Sequence, residues 1–105
     1  MSPDNAWILT QGIETLSLRM ERHCENSMKV ALFLREHPDV AWVRYPGLPE
    51  DRQYEKAQKY LKGTGGPIVV FGIKSTNPLE AGKKFIDSLE LFLHVANCGM
   101  ISLCT

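Results

Sequence analysis

Apolar residues in the first third of the chain recur every three or four positions. Ile13, Leu16, Met20, Cys24, Ser27, Ala31 and Leu34 share one helical face, while Glu14, Glu21, Arg22, Glu25, Lys29, Arg35 and Glu36 lie largely off it. The spacing predicts a long amphipathic helix reaching almost to Glu36. Ser2-Pro3 starts it, because serine caps the first turn and proline needs no partner for its missing N–H there. Gly12 marks an expected break or kink that would give two helices. Glu25 and Lys29 form an i,i+4 pair worth about 0.3 kcal/mol. His37-Pro38 ends the segment, since the residue before a proline is pushed out of helical geometry.

The pattern then changes period. Val40 to Tyr45, rich in β-branched and aromatic residues, reads as a strand, and Pro46-Gly47-Leu48-Pro49 closes it with a loop. Asp51 to Leu61 is a short helix with Tyr54, Ala57 or Gln58, and Leu61 on one stripe. Gly63-Thr64-Gly65-Gly66 is a glycine turn, and Pro67 to Ile73 reads as a second strand with apolar residues on both faces. Thr76-Asn77-Pro78 repeats the cap-then-proline signal. Leu79, Gly82, Phe85, Ile86 and Leu89 trace the expected buried face of the helix that follows. Leu91 to Ala96 reads as a third strand and Met100 to Cys104 as a fourth. The fold class expected is α/β, in the sense of a small α+β domain. A long N-terminal helix leads a small, mostly antiparallel sheet with helices on one face. The chain ends at Thr105 inside an apolar, strand-like stretch, so the last piece of this fold is expected to be missing.

Composition narrows the function classes. The chain has 105 residues, 44% hydrophobic and 23% charged, and twelve basic residues balance twelve acidic ones along its length. Charge this evenly interspersed offers no basic patch for nucleic-acid phosphates. No apolar run approaches the ~18 residues of a membrane span, and the first twenty residues lack a secretory pattern. The cysteines are three, Cys24, Cys98 and Cys104, without CxxC spacing. An odd, scattered set fits a reducing cytoplasm better than a disulfide framework.

Residues able to do chemistry are present but scattered. His23 lies near the apolar face of the long helix and reads as a packed or hydrogen-bonded helix histidine. A metal site at His23 and Cys24 would need His94, Cys98 or Cys104. His94 and Cys98 stand four apart in a strand-like segment, a poor chelate. His37 reads as a solvated helix-end residue. Cys24 sits between Glu21 and Glu25, which disfavour a thiolate, and Cys98 and Cys104 lie in apolar stretches. The Gly63–Gly66 turn lacks a GxxxxGK[ST] pattern and leads into a strand, so it reads as a plain turn. Trp7, Trp42, Tyr45 and Phe71 read as core or interface residues.

The run from Ser2-Pro3-Asp4-Asn5-Ala6-Trp7 through Gly12-Ile13-Glu14-Thr15-Leu16 to Arg19-Met20-Glu21-Arg22-His23 resembles a segment of the Cys/Met-metabolism family of pyridoxal-phosphate enzymes. The resemblance continues through Ala41-Trp42-Val43-Arg44-Tyr45-Pro46-Gly47-Leu48, Phe71-Gly72-Ile73-Lys74 and Glu80–Leu89, covering about residues 2–99. It is most similar to the O-acetylhomoserine sulfhydrylase branch. That branch makes homocysteine and acetate from O-acetylhomoserine and sulfide, in methionine and cysteine biosynthesis (transsulfuration). The resemblance implies part of a fold-type-I enzyme, with residues 1–36 as the inter-domain long helix region and 37–105 as an incomplete C-terminal small domain.

It also implies absences. The family's Schiff-base lysine, the aspartate at the pyridine nitrogen and the phosphate-holding turn all precede the matched segment. The arginine for the substrate carboxylate follows it. Pyridoxal phosphate is thus expected in the parent enzyme and not on this chain alone, which is expected to be inactive. Ser102 and Leu103 match a pocket-lining Ser-Leu pair, though only two residues separate Gly99 from Ser102 where the family has three. No other catalytic, cofactor or metal residue is expected. The implied partners are the large cofactor-binding domain or full-length subunits, with self-association of the chain alone and no nucleic acid or membrane. Two other readings stay open: a non-catalytic interaction module, or another member of the family such as cystathionine γ-synthase or lyase.

Overall fold

The computed structural model describes residues 1–90. The expected third and fourth strands, 91–96 and 100–104, lie outside the described residues. Two compact units divide the chain, Met1–Gly72 and Ile73–Thr105.

The first unit opens with two helices, α1 (Pro3–Glu14) and α2 (Leu16–Glu36). Ser2 caps α1 as its type predicts: its Oγ accepts the Asn5 N–H at 3.3 Å, and Pro3 occupies the first turn. The break falls at Thr15, three residues after Gly12. Arg19 explains the position. Its Nη2 donates to the Gly12 carbonyl at 2.7 Å and its Nε to Thr15 Oγ1 at 3.0 Å. The guanidinium thus takes one of the carbonyls that the end of α1 leaves without an internal partner. Gly12 supplies that acceptor and stays helical itself. Arg19 Nη1 is buried with no acceptor among the described residues.

α2 ends where Pro38 dictates, with His37 extended at φ −73°, ψ 131° and its N–H donating to the Leu34 carbonyl at 3.2 Å. The predicted apolar stripe is buried at its C-terminal end only. Ser27 and Ala31 are buried as α2 packs against β1 (Val40–Arg44), while Ile13 and Leu16 remain exposed. β1 pairs antiparallel with β2 (Val70–Ile73) in a two-stranded sheet. β2 starts three residues later than the sequence suggests, since Pro67 carries no N–H for a ladder.

Between the strands lies α3 (Tyr54–Tyr60), shorter than the predicted 51–61. The preceding residues form successive tight turns instead: the Leu48 N–H donates to Tyr45 O, Asp51 to Leu48 O and Tyr54 to Asp51 O, at 2.9, 3.0 and 2.9 Å. Of the predicted α3 stripe, Ala57 is the buried member.

The core is small: Ala31, Tyr45 and Leu48, with Met28, Val43 and Val69 packed on it. Among the described residues Tyr45 is its one large fully buried side chain. The phenol oxygen stands 3.0 Å from the Gly66 carbonyl and 3.3 Å from the Cys24 carbonyl, so its single proton bridges α2 and the glycine turn. Gly65 lies against this ring, and a Cβ there would meet both Tyr45 and the Gly47 backbone nitrogen. Gly66, at φ +78°, takes a conformation that L side chains rarely adopt.

In the second unit the described residues hold one helix, α4 (Pro78–Asp87). Its start is where Asn77-Pro78 indicated, but Asn77 works differently from a simple cap. Its Nδ2 donates to Glu80 Oε2 at 3.0 Å and its N–H to Ser75 Oγ at 3.1 Å. The expected burial of Leu79, Gly82, Phe85, Ile86 and Leu89 is corrected, because none is buried and Leu79 is 72% exposed. An apolar stripe needs a second element to cover it, and the described residues 74–90 contain only this helix.

Candidate functional site

The densest polar assembly is where β1 turns toward α3. Arg44 Nε donates to Asp51 Oδ2 at 2.8 Å, with Nη2 and Oδ1 at 3.4 Å, and Asp51 Oδ1 also accepts the Gln53 N–H at 2.8 Å. Asp51 is fixed here because the turns that follow Tyr45 aim its side chain back at the strand. That side chain is 4% exposed. A shallow cavity of about 200 Å³ adjoins it, lined by Val43, Arg44, Leu48, Glu50, Asp51 and Arg52. The Arg44 hydrogen bonds hold the Asp51 carboxyl below its ordinary range, burial opposing them, and Arg35, 2.8 Å from Glu50, lowers that carboxyl too. Carboxylates kept ionised by paired guanidiniums have no proton to give and little basicity to offer. The assembly braces the turn. It is not a catalytic pair.

The candidate residues from the sequence do not converge. His23 is exposed, which corrects its expected packed position. His37 is corrected in the opposite sense: its Nδ1 accepts the Asp39 N–H at 3.2 Å, and its ring meets Phe33 edge-on at 5.6 Å, so it is half-buried and holds the helix end. Cys24 is a half-buried free thiol. Among the described residues no three His, Cys, Asp or Glu side chains are placed to hold a metal ion. His94, Cys98, Cys104 and the proposed pocket-lining pair Ser102 and Leu103 lie outside the described residues. Within the Gly63–Gly66 turn, Gly65 lies against the Tyr45 ring and the Gly66 carbonyl accepts the Tyr45 hydroxyl proton.

Sequence patterning did not single out the surface of α1. Trp7, Ile8, Leu9 and Ile13 on this helix are 64, 64, 52 and 62% exposed, and no residue of α1 is buried. The signal was there in three consecutive large apolar residues, which a one-faced helix does not tolerate. Of the aromatic residues expected in core or interface, Tyr45 is core, while Trp7 and Trp42 stand at least half exposed.

Comparison with known proteins decides the family. The family of Cys/Met metabolism PLP-dependent enzymes matches residues 1–104. The chain belongs to that family. The O-acetyl-L-homoserine sulfhydrylase of Leptospira meyeri is 55% identical over 100 residues, covering 94% of this chain and 22% of the relative. The O-acetyl-L-homoserine sulfhydrylase 1 of Thermus thermophilus is 50% identical over 99 residues, covering 94% and 23%. A crystal structure of a Campylobacter jejuni O-acetylhomoserine (thiol)-lyase, bearing a pyridoxyl-lysine at its position 205, superposes with a TM-score of 0.82 at 39% identity, over 92% of this chain and 23% of that one. The fold is therefore part of the fold-type-I architecture of these enzymes. The chain spans under a quarter of the length of the curated relatives it matches.

The lysines of this chain can be weighed against what a pyridoxal-phosphate Schiff base needs. A lysine that condenses with an aldehyde at neutral pH needs a sheltered site that lowers its proton affinity. Every lysine of the sequence, from Lys29 to Lys84, is exposed. Lys29 is tied to Glu25 at 2.7 Å, and Lys59 lies over the Tyr60 ring. None of them has the shelter that a Schiff-base lysine requires.

Proposed function

We propose that this chain is the inter-domain helix region (1–36) and the front of the C-terminal small domain (37–105) of an O-acetylhomoserine sulfhydrylase-like enzyme, and that it is inactive alone. The parent enzyme replaces the acetate of O-acetylhomoserine with sulfide, giving homocysteine for methionine and cysteine biosynthesis in the cytoplasm. Pyridoxal phosphate belongs to the large domain of that enzyme. The partners of this chain are accordingly that domain or full-length subunits, and not nucleic acid or membrane. Ser102 and Leu103 line the substrate pocket once the parent is assembled. Among the described residues no helix is long and apolar enough to cross a membrane. The observation that carries the reading is a family match in sequence order over residues 1–104, on a chain whose lysines all face solvent.

The test is a graft. This chain replaces its matching segment in the Thermus thermophilus sulfhydrylase, and homocysteine formation from O-acetylhomoserine and sulfide is measured. An active graft beside an inactive isolated chain is expected. A folded graft that makes no homocysteine, or product formation by the chain alone, would contradict the reading. Cleavage of cystathionine by the graft, in place of homocysteine formation from O-acetylhomoserine and sulfide, would move it to another reaction of the family.

A further inference from the structure

His37 sits between the end of α2 and the start of β1, and it ties the intervening turn through three separate groups. Its backbone N–H donates to the Leu34 carbonyl at 3.2 Å, closing the helix, and its own carbonyl accepts the Val40 N–H at 3.1 Å, opening the strand. The side chain supplies the third tie: Nδ1 lies 3.2 Å from the Asp39 nitrogen and accepts that N–H. Edge-on contact with the Phe33 ring at 5.6 Å, one turn back on α2, sets the imidazole in this orientation.

The side-chain tie exists in one protonation state only. A nitrogen that accepts a hydrogen bond needs its lone pair, so the neutral ring carries its proton on Nε2. Protonation makes both ring nitrogens donors, and Nδ1–H then meets the Asp39 N–H. Two donors facing each other force the ring to turn away or the backbone to move. An asparagine makes the same bond, two residues on, through an amide oxygen that does not titrate. Histidine is the form of this turn that pH can undo.

The charged groups on the two packed elements do not hold the protonated ring in place. On α2, Arg35 is shared between Glu50 at 2.8 Å and Glu36 at 3.7 Å. Lys29 lies eight residues back, about 12 Å along the axis. Asp39 is in the turn itself, and β1 contributes only Arg44, which is paired with Asp51. Glu36, Asp39 and the last carbonyls of α2 are acceptors to which an imidazolium N–H turns. We propose that His37 is a pH-sensitive latch on the turn between α2 and β1, closed by the neutral ring through the Asp39 N–H and released when the ring is protonated. The latch loosens the entry to β1 and leaves the Tyr45 hydroxyl tie untouched. Its parts all lie within residues 33–40, so it does not depend on which reaction the parent enzyme performs.

Nuclear magnetic resonance on the 105-residue chain tests this. Long-range proton–nitrogen spectra read the tautomer of the ring. Exchange of the Asp39 amide, divided by its intrinsic rate at each pH, reads the turn. The expected result in mildly alkaline solution is the Nε2–H tautomer with a protected Asp39 amide. From about pH 8 to about pH 5, where histidine changes charge, the protection is expected to fall about two- to tenfold, the effect of one net intramolecular hydrogen bond. His37→Asn is expected to keep the protection throughout, and His37→Ala to lack it throughout. An Nδ1–H tautomer in alkaline solution, or protection that does not change as His37 titrates, overturns the latch. An asparagine variant that loses protection on acidification as the wild type does also overturns it, because a carboxyl such as Asp39 would then be the titrating group.

Discussion

Replacing Tyr45 by phenylalanine removes one oxygen from the one large side chain that is fully buried among the described residues. The ring keeps its place, so packing changes little. What is lost is the hydroxyl proton that reaches the Gly66 carbonyl at 3.0 Å and the Cys24 carbonyl at 3.3 Å. As a helical carbonyl, that of Cys24 has the Met28 N–H to turn to, so the Gly66 acceptor suffers more. A buried acceptor left unsatisfied costs about 1–3 kcal/mol. With an m-value of about 1–2 kcal/mol/M in urea, that lowers the midpoint of unfolding by about 0.5–3 M. Tyr45→Ala also empties the core and loses about 3–5 kcal/mol. A unit of this size has only about 4–11 kcal/mol in total, so the alanine variant is expected to lose a large share of its stability and to unfold at much lower urea than the phenylalanine variant. Urea titration followed by far-UV circular dichroism reads both. A Tyr45→Phe midpoint equal to the wild type would refute the assignment of Tyr45 as the tie between α2 and the glycine turn.

Gly65→Ala and Gly12→Ala are expected to act oppositely in the same titration. The first forces a Cβ into the Tyr45 ring and the Gly47 backbone, losing about 1–3 kcal/mol, while the second meets nothing within 4 Å in a helix and gains about 0.5–1 kcal/mol. Asp51 is held ionised in the folded state with its carboxyl below the ordinary value, first by the Arg44 hydrogen bonds. Its contribution is therefore complete above the unfolded carboxylate value near 3.9 and lost as pH falls through the lower folded value. Asp51→Asn is expected to flatten that acid limb in pH-dependent melts, and an unchanged limb would count against the pair. Arg19→Ala is expected to change global stability by less than about 1 kcal/mol, because the two hydrogen bonds lost are offset by removal of the buried, unpartnered Nη1. Amide exchange around Thr15 should nonetheless quicken, and unchanged exchange there would refute the brace.

Much of the fold was legible because it is local. Ser2-Pro3, His37-Pro38 and Asn77-Pro78 fix helix ends through backbone geometry within a few residues, and the structure places α1, α2 and α4 accordingly. The break at Thr15 was misplaced to Gly12 because a guanidinium several residues away sets it, and no propensity encodes that reach. The buried stripe expected on α4 failed for a related reason: amphipathicity states that a face wants cover and says nothing of where the cover comes from. Tyr45 looked like one aromatic among several. Its central role depends on two glycine segments about twenty residues apart closing on one ring. The site was barely legible, since a segment without a sheltered lysine displays only its family's order of residues.

The most direct test of the central claim is borohydride trapping of the purified chain with pyridoxal phosphate, followed by peptide mass spectrometry. Scattered, substoichiometric labelling spread over the exposed lysines from Lys29 to Lys84 is the expected result for a family member that holds no cofactor site. Stoichiometric labelling of a single lysine would contradict the account.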